Sequence, residues 1–217
     1  MTVTGVIQAG GKSMRMGGAP KALMELGGRR VIDRVVDVLG SVTDDVLVVT
    51  NTPELYASLG LPMVPDVFAG AGSLGGIYSG LKAAAGAAIF TVACDMPFLR
   101  PDVARLVIDR GEDADVVLPR AGEADVIVPR VGEQWETLHA CYGKACLAPI
   151  ETRLRAGRLK IVGFYEDVRV LAIGEDEVAR HRAPEVVFMN VNTPEDLEAA
   201  RGLLPTLEPG PAPAGPR

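Results

Sequence analysis

The chain alternates short, unbroken apolar runs with segments of helical period, and this alternation limits what it can fold into more than any other feature. Residues 4–9, 46–50, 88–93 and 186–190 are continuously apolar or small, the pattern of strands buried on both faces. Residues 31–39, 53–59, 74–85 and 101–110 carry the helical period between them. Two helix starts are explicit. Thr52-Pro53-Glu54 and Thr193-Pro194-Glu195-Asp196 each put threonine at the N-cap, proline at the first helical position and acid in the first turn. The expectation is an α/β fold in three layers, a mostly parallel central sheet with helices on both faces.

Composition sets the outer bounds. A chain of 217 residues that is 48% hydrophobic can bury a full core and reads as one domain. A net charge of −6 leaves no basic face for releasing counterions, which argues against a general nucleic-acid binder. Mean hydropathy is positive, +0.21, yet no apolar run approaches the ~20 residues that cross a bilayer. The amino end enters the first strand pattern at once, so no signal peptide is expected. Cys94, Cys141 and Cys146 form an odd, sparse set, as in a reduced, cytoplasmic protein.

One near-repeat breaks the alternation. Residues 113–120 (DADVVLPR) are echoed by residues 123–130 (EADVIVPR). A β-hairpin turning through Ala121-Gly122 accounts for it, with two similar strands in one sheet. The other reading places Arg120 and Arg130 at neighbouring strand ends, offering two cations to an acceptor phosphate. Residues 205–217 are dominated by proline, glycine and alanine and read as a disordered tail after a domain spanning 1–204.

The chemistry concentrates at Ile7-Gln8-Ala9-Gly10-Gly11-Lys12-Ser13-Met14-Arg15-Met16-Gly17, followed by Lys21. A strand leads in, and paired glycines expose backbone N–H groups that can wrap a polyphosphate. Arg15 and Lys21 add side-chain cations within reach of the same phosphates. A P-loop would need four residues between its first glycine and a Gly-Lys-Ser/Thr end, and a dinucleotide fingerprint would need Gly-x-Gly-x-x-Gly. Neither is present.

These residues resemble the signature of the MobA-type molybdenum cofactor guanylyltransferases, within the nucleotidyltransferase superfamily. The likeness continues in order through Asn51, Asp66, Gly72-Ser73-Leu74-Gly75-Gly76-Ile77, Cys94-Asp95-Met96-Pro97-Phe98-Leu99 and Asn190-Val191-Asn192-Thr193-Pro194-Glu195-Asp196. The resemblance implies a Rossmann-like nucleotidyltransferase fold, with a nucleotide-binding half over about 1–100 and an acceptor half over about 101–204. It implies transfer of GMP from GTP to the phosphate of molybdopterin, with Mg²⁺ held by Asp95. Transient contact with molybdoenzymes or their chaperones would follow. By the same resemblance Arg15, Lys21 and Asp95 are catalytic. Gln8, Ala9, Gly10, Gly11, Ser13, Asn51 and Asp66 line the nucleotide, and Asn190 and Asn192 stand on the acceptor side. The branch that transfers CMP typically lacks the second glycine, so Gly11 favours guanine; Ser73 stands where the family has proline.

Each residue also has a plainer reading. Asp95 could cap the helix expected near Pro101, Asn51 the helix at Pro53, and Asn190 and Asn192 the helix at Pro194. Lys21 and Arg15 could be a solvated surface pair. His139 and His181 have no second ligand at metal spacing, and Cys141 and Cys146 lack a paired Cys-x-x-Cys; all four read as structural or surface residues. Two further functions stay open beside the guanylyltransferase. One is a cytidylyltransferase for the same pterin or a sugar-phosphate nucleotidyltransferase; the other is a non-catalytic nucleotide-binding accessory protein.

Overall fold

A computed structural model describes residues 2–10, 21–110 and 124–207. β1 (Val3–Gln8) is followed by a two-stranded ribbon, β2 (Glu25–Leu26) and β3 (Arg29–Arg30), and then by α1 (Val31–Val42). β4 (Asp45–Val49), β5 (Met63–Val64), α2 (Gly72–Ala83), β6 (Ala88–Ala93) and α3 (Pro101–Asp109) complete the first half. The second half contains β7 (Val126–Val131), β8 (Gln134–Trp135), β9 (His139–Gly143), α4 (Leu147–Arg155), β10 (Val170–Gly174), α5 (Glu175–Ala179), α6 (Pro184–Val187) and α7 (Pro194–Leu207).

The main sheet runs β10-β7-β9-β6-β1-β4-β5. Pairings β5/β4, β4/β1, β1/β6 and β7/β10 are parallel, and β9 is inserted antiparallel to both β6 and β7. Successive residues of β1 feed opposite faces, as the pleat requires. Val3 and Ile7 join the cluster under α1 and α3. Val6 joins the cluster under α2 and α4. Three layers result, as the strand–helix alternation implies.

Several expectations are corrected by packing. Residues 186–190 are not a strand: Pro184 starts the short α6, and Val187 and Phe188 turn into the core beside α3 and β9. Residues 53–59 form two 3₁₀ turns, Pro53–Leu55 and Ala57–Leu59, broken where Tyr56 turns inward. Thr52 stands at the N-cap there without a side-chain cap bond. The hairpin expected over 113–130 falls partly outside the described residues. Arg130 pairs with Gly174 on one side and Trp135 on the other, so both margins of that strand are taken; residues 113–120 and Ala121-Gly122 lie outside the described residues. Within the described residues a hairpin turns at Gly132, whose φ of +56° suits glycine. α7 continues past Pro205 to Leu207 because Leu203, Leu204 and Leu207 pack against Leu26 and Leu197.

Candidate functional site

The three central strands end together. Ala9 N–H donates to Val49 O at 2.9 Å and Cys94 N–H to Gln8 O at 3.2 Å, so β4, β1 and β6 stay tied one residue past their ends. Above this carboxyl edge, where open α/β sheets bind ligands, lies a cleft of about 780 Å³.

The floor is β1. Gln8 donates through Nε2 to Thr91 Oγ1 at 3.2 Å, and Gly76 of α2 lies against it so closely that a Cβ there would stand 2.4 Å from Gln8 Oε1. Ala9 and Gly10 continue the floor. One wall is a clasp between two loops. Asn51 Nδ2 donates to Asp66 Oδ2 at 3.1 Å, and the Asp66 backbone N–H donates to Asn51 Oδ1 at 2.9 Å. Asn51 is therefore engaged with Asp66 in this wall rather than capping the turn at Pro53. The other carboxylate oxygen of Asp66, Oδ1, is buried without a partner. Burial pushes this carboxyl upward and the Asn51 amide partly offsets it.

The opposite wall joins three distant segments. Lys21 Nζ donates to Asn192 Oδ1 at 3.3 Å. Val191 N–H donates to Asp95 O at 2.9 Å, fastening the Asn190–Asn192 stretch beside the end of β6. The cap of α7 frees the Asn192 side chain for this work. Asp196 Oδ2 accepts from the backbone N–H groups of Asn192 and Thr193, each at 2.8 Å, while Asp196 N–H donates to Thr193 Oγ1 at 3.1 Å. This reciprocal box confirms the helix start at Thr193. Asn190 Nδ2 donates to Phe188 O at 3.2 Å. Asp95 does not cap α3, whose N-cap is Arg100. Its carboxyl is raised by burial first, while a hydrogen bond from its own backbone and then the Lys21 charge pull it down.

The structure therefore brings together Gln8, Ala9, Gly10, Lys21, Asn51, Asp66, Asp95, Asn190 and Asn192. Gly11, Ser13 and Arg15 lie outside the described residues. Tyr56 and Leu138 also line the cleft, and the residue pattern carried no sign of either. Tyr56 is buried, and its hydroxyl is pushed up to about 12 by burial and then by nearby Cys94 and Asp95. His139, Cys141 and Cys146 are buried in the cores, and His181 lies 3.6 Å from Asp102, all away from the cleft. The three cysteines are free.

No group of three or more metal-ligating side chains occurs among the described residues. The acidic side chains lining the cleft are Asp66 and Asp95. That donor set suits an ion such as Mg²⁺, which commonly takes one or two carboxylates and fills its other positions from substrate oxygens and water. Asp95 is the carboxylate beside a cation.

Comparison with known proteins gives a consistent neighbourhood. Residues 5–170 match the family described as the MobA-like NTP transferase domain. A probable molybdenum cofactor guanylyltransferase of Pelotomaculum thermopropionicum is 43% identical over 93% of this chain and 93% of its own length. A molybdenum cofactor guanylyltransferase of Desulfosudis oleivorans is 41% identical over 93% and 96%. Among solved structures, molybdopterin-guanine dinucleotide biosynthesis protein A of Archaeoglobus fulgidus superposes with a TM-score of 0.76 at 23% identity, covering 94% of this chain and 99% of its own; that likeness concerns fold.

Proposed function

The chain belongs to the MobA-like NTP transferase family and is a nucleotidyltransferase, and from that premise we propose that it transfers GMP from GTP to the phosphate of molybdopterin. The observation that carries this reading is the convergence of Lys21, Asp95 and Asn192 on one wall of the cleft, opposite the Asn51–Asp66 clasp. The guanylyltransferase names of the relatives, at 43% and 41% identity over nearly full length, supply the donor and acceptor.

An oxygen of the acceptor phosphate attacks the α-phosphorus of GTP. The bond from that phosphorus to the bridging oxygen breaks, and pyrophosphate leaves with the electron pair. Such a reaction asks for positioning and charge neutralisation rather than a protein nucleophile. Gln8, Ala9 and Gly10, with Gly11, Ser13 and Arg15 of the same loop, line the triphosphate. Lys21 holds its ammonium on the phosphates, oriented by Asn192. The unpartnered Oδ1 of Asp66 accepts from an N–H or O–H of the nucleoside. Asn190 and Asn192 face the incoming acceptor. Asp95 would hold Mg²⁺, which would supply neutralisation of the charge on the phosphate oxygens.

The direct test is incubation with molybdopterin and each of GTP, CTP, UTP and ATP in the presence of Mg²⁺, reading pyrophosphate and dinucleotide product. GTP should be used and Lys21→Ala should lose transfer by about 10²–10³-fold with its thermal midpoint unchanged. Turnover with CTP instead of GTP would make the chain a cytidylyltransferase. Undiminished turnover in Lys21→Ala would remove the phosphate-site assignment.

A further inference from the structure

A second cavity, about 680 Å³, opens on the far side of the α2 N-terminus. It shares Gly70, Gly72 and Ser73 with the cleft. The two also meet across the β8–β9 turn, where Leu138 lines the cleft and its neighbour Thr137 lines the cavity. The remaining wall comes from the acceptor half: Glu133, Trp135, Leu159, Lys160 and Ile161. None of these lines the cleft.

The chemistry of this wall is specific. Trp135 is the only tryptophan in the chain, and it is half-buried rather than packed away. Tyr165 stands edge-on to it with centroids 5.6 Å apart, and Tyr165 is itself braced by Tyr142, hydroxyl to hydroxyl at 3.2 Å. The Arg130 guanidinium lies over the indole, 5.1 Å from its centroid. Arg130 is not in an ion pair with a carboxylate among the described residues, and neither is Lys160 on the cavity wall. Leu159 is 45% exposed, a large apolar side chain left at the cavity margin. A braced indole, an exposed leucine and the Lys160 cation on the cavity wall, with Arg130 against the indole, fit a ligand that joins a heterocyclic ring to negatively charged groups.

We propose that this cavity seats the fused-ring pterin of the acceptor, with Trp135 as the stacking platform and Arg130 locking the indole plane and adding positive charge. The shared margin at Ser73 then leads the acceptor phosphate into the cleft beside the donor. This rests on the guanylyltransferase reading and extends it, since holding Trp135 gives Arg130 a use beside the acceptor.

The lone tryptophan makes the test direct. Under anaerobic conditions, molybdopterin is titrated into the wild-type chain and into Arg130→Ala while Trp135 emission is followed; GTP with Mg²⁺ is titrated separately. Molybdopterin should quench the emission and GTP should not, with weaker apparent binding in Arg130→Ala. In steady state, Trp135→Ala should raise KM for molybdopterin about tenfold, what one stacked ring is commonly worth, with KM for GTP unchanged. Trp135→Phe, which keeps a ring against Tyr165, should fall between and guards against a folding defect. Equal rises in both KM values, or turnover with neither quench nor KM change, overturn the cavity assignment alone. Quenching by molybdopterin without any dinucleotide product supports the cavity and overturns the guanylyltransferase reading.

Discussion

Asp95 is kept partly out of water at the end of β6, and its carboxyl rises above the ordinary 3.8 because burial disfavours the charge more than its own backbone hydrogen bond and Lys21 restore it. The folded chain therefore holds a proton to higher pH than the unfolded chain does. Stability falls as pH rises through the window above 3.8, and at neutral pH the charged group is a net cost to the free protein. Asp95→Asn removes that cost. The expected result is a higher thermal midpoint at pH 7 without nucleotide, together with a transfer rate lowered on the order of 10²-fold or more. A variant that loses activity and also loses stability would show Asp95 to be structural. Asp66, raised by burial with one oxygen unpartnered, acts on stability with the same sign.

α2 governs the cleft at the scale of elements. Gly76 and Gly80 stand one turn apart on the face that meets β1. A Cβ at Gly80 would lie 2.8 Å from Val6 Cγ1, and one at Gly76 would lie 2.4 Å from Gln8 Oε1. Glycine thus permits an approach that carries the helix start and its Gly72, Ser73 and Gly76 to the cleft edge. The two positions should respond differently. Gly80→Ala overpacks a buried strand residue and should cost about 1–3 kcal/mol in urea denaturation. Gly76→Ala meets a side-chain amide able to move, so it should leave stability nearly intact and raise KM for the nucleotide, as Gln8 is pushed off Thr91. If both variants are destabilised alike with unchanged KM, the helix is held by packing alone. The periodicity of residues 74–85 announced this helix, but not which glycine faces which side chain, since that depends on how the helix lies across the sheet.

His139 connects the scales of the whole molecule. It sits on β9, edge-on to Phe90 of β6 at 5.2 Å and to Phe188 at 5.0 Å, just before the Asn190–Asn192 wall. Both ring nitrogens are buried without partners, and burial pushes the imidazole down to about 3. The unfolded chain protonates at the ordinary 6.5. Stability conferred by the neutral ring is complete above 6.5 and is lost as pH falls from there toward about 3. His139→Leu should stay within about 1 kcal/mol of wild type at pH 7, where lost ring contacts offset the removal of two unpaired polar atoms. It should also flatten the acid limb. Urea midpoints from pH 7 to pH 4 check this, and a variant with the wild-type slope would place the acid sensitivity elsewhere.

Local patterns alone determined the strands at 4–9, 46–50 and 88–93, the helices at 31–39, 74–85 and 101–110, the start of α7 at Thr193, and the glycine-rich motif with the family blocks that follow it. Each of these is written in neighbouring residues, through period, capping and turn chemistry. Tertiary structure decided the rest. Residues 186–190 have strand composition, but their side chains complete a core next to α3 and β9, so they turn rather than pair. Asn51 meets Asp66 across 15 residues, Lys21 meets Asn192 across 171, and Trp135 meets Arg130 through a hairpin absent from the expected register. Those contacts exist because a sheet in the order β10-β7-β9-β6-β1-β4-β5 brings strand ends together irrespective of their distance along the chain. No local window carries that information.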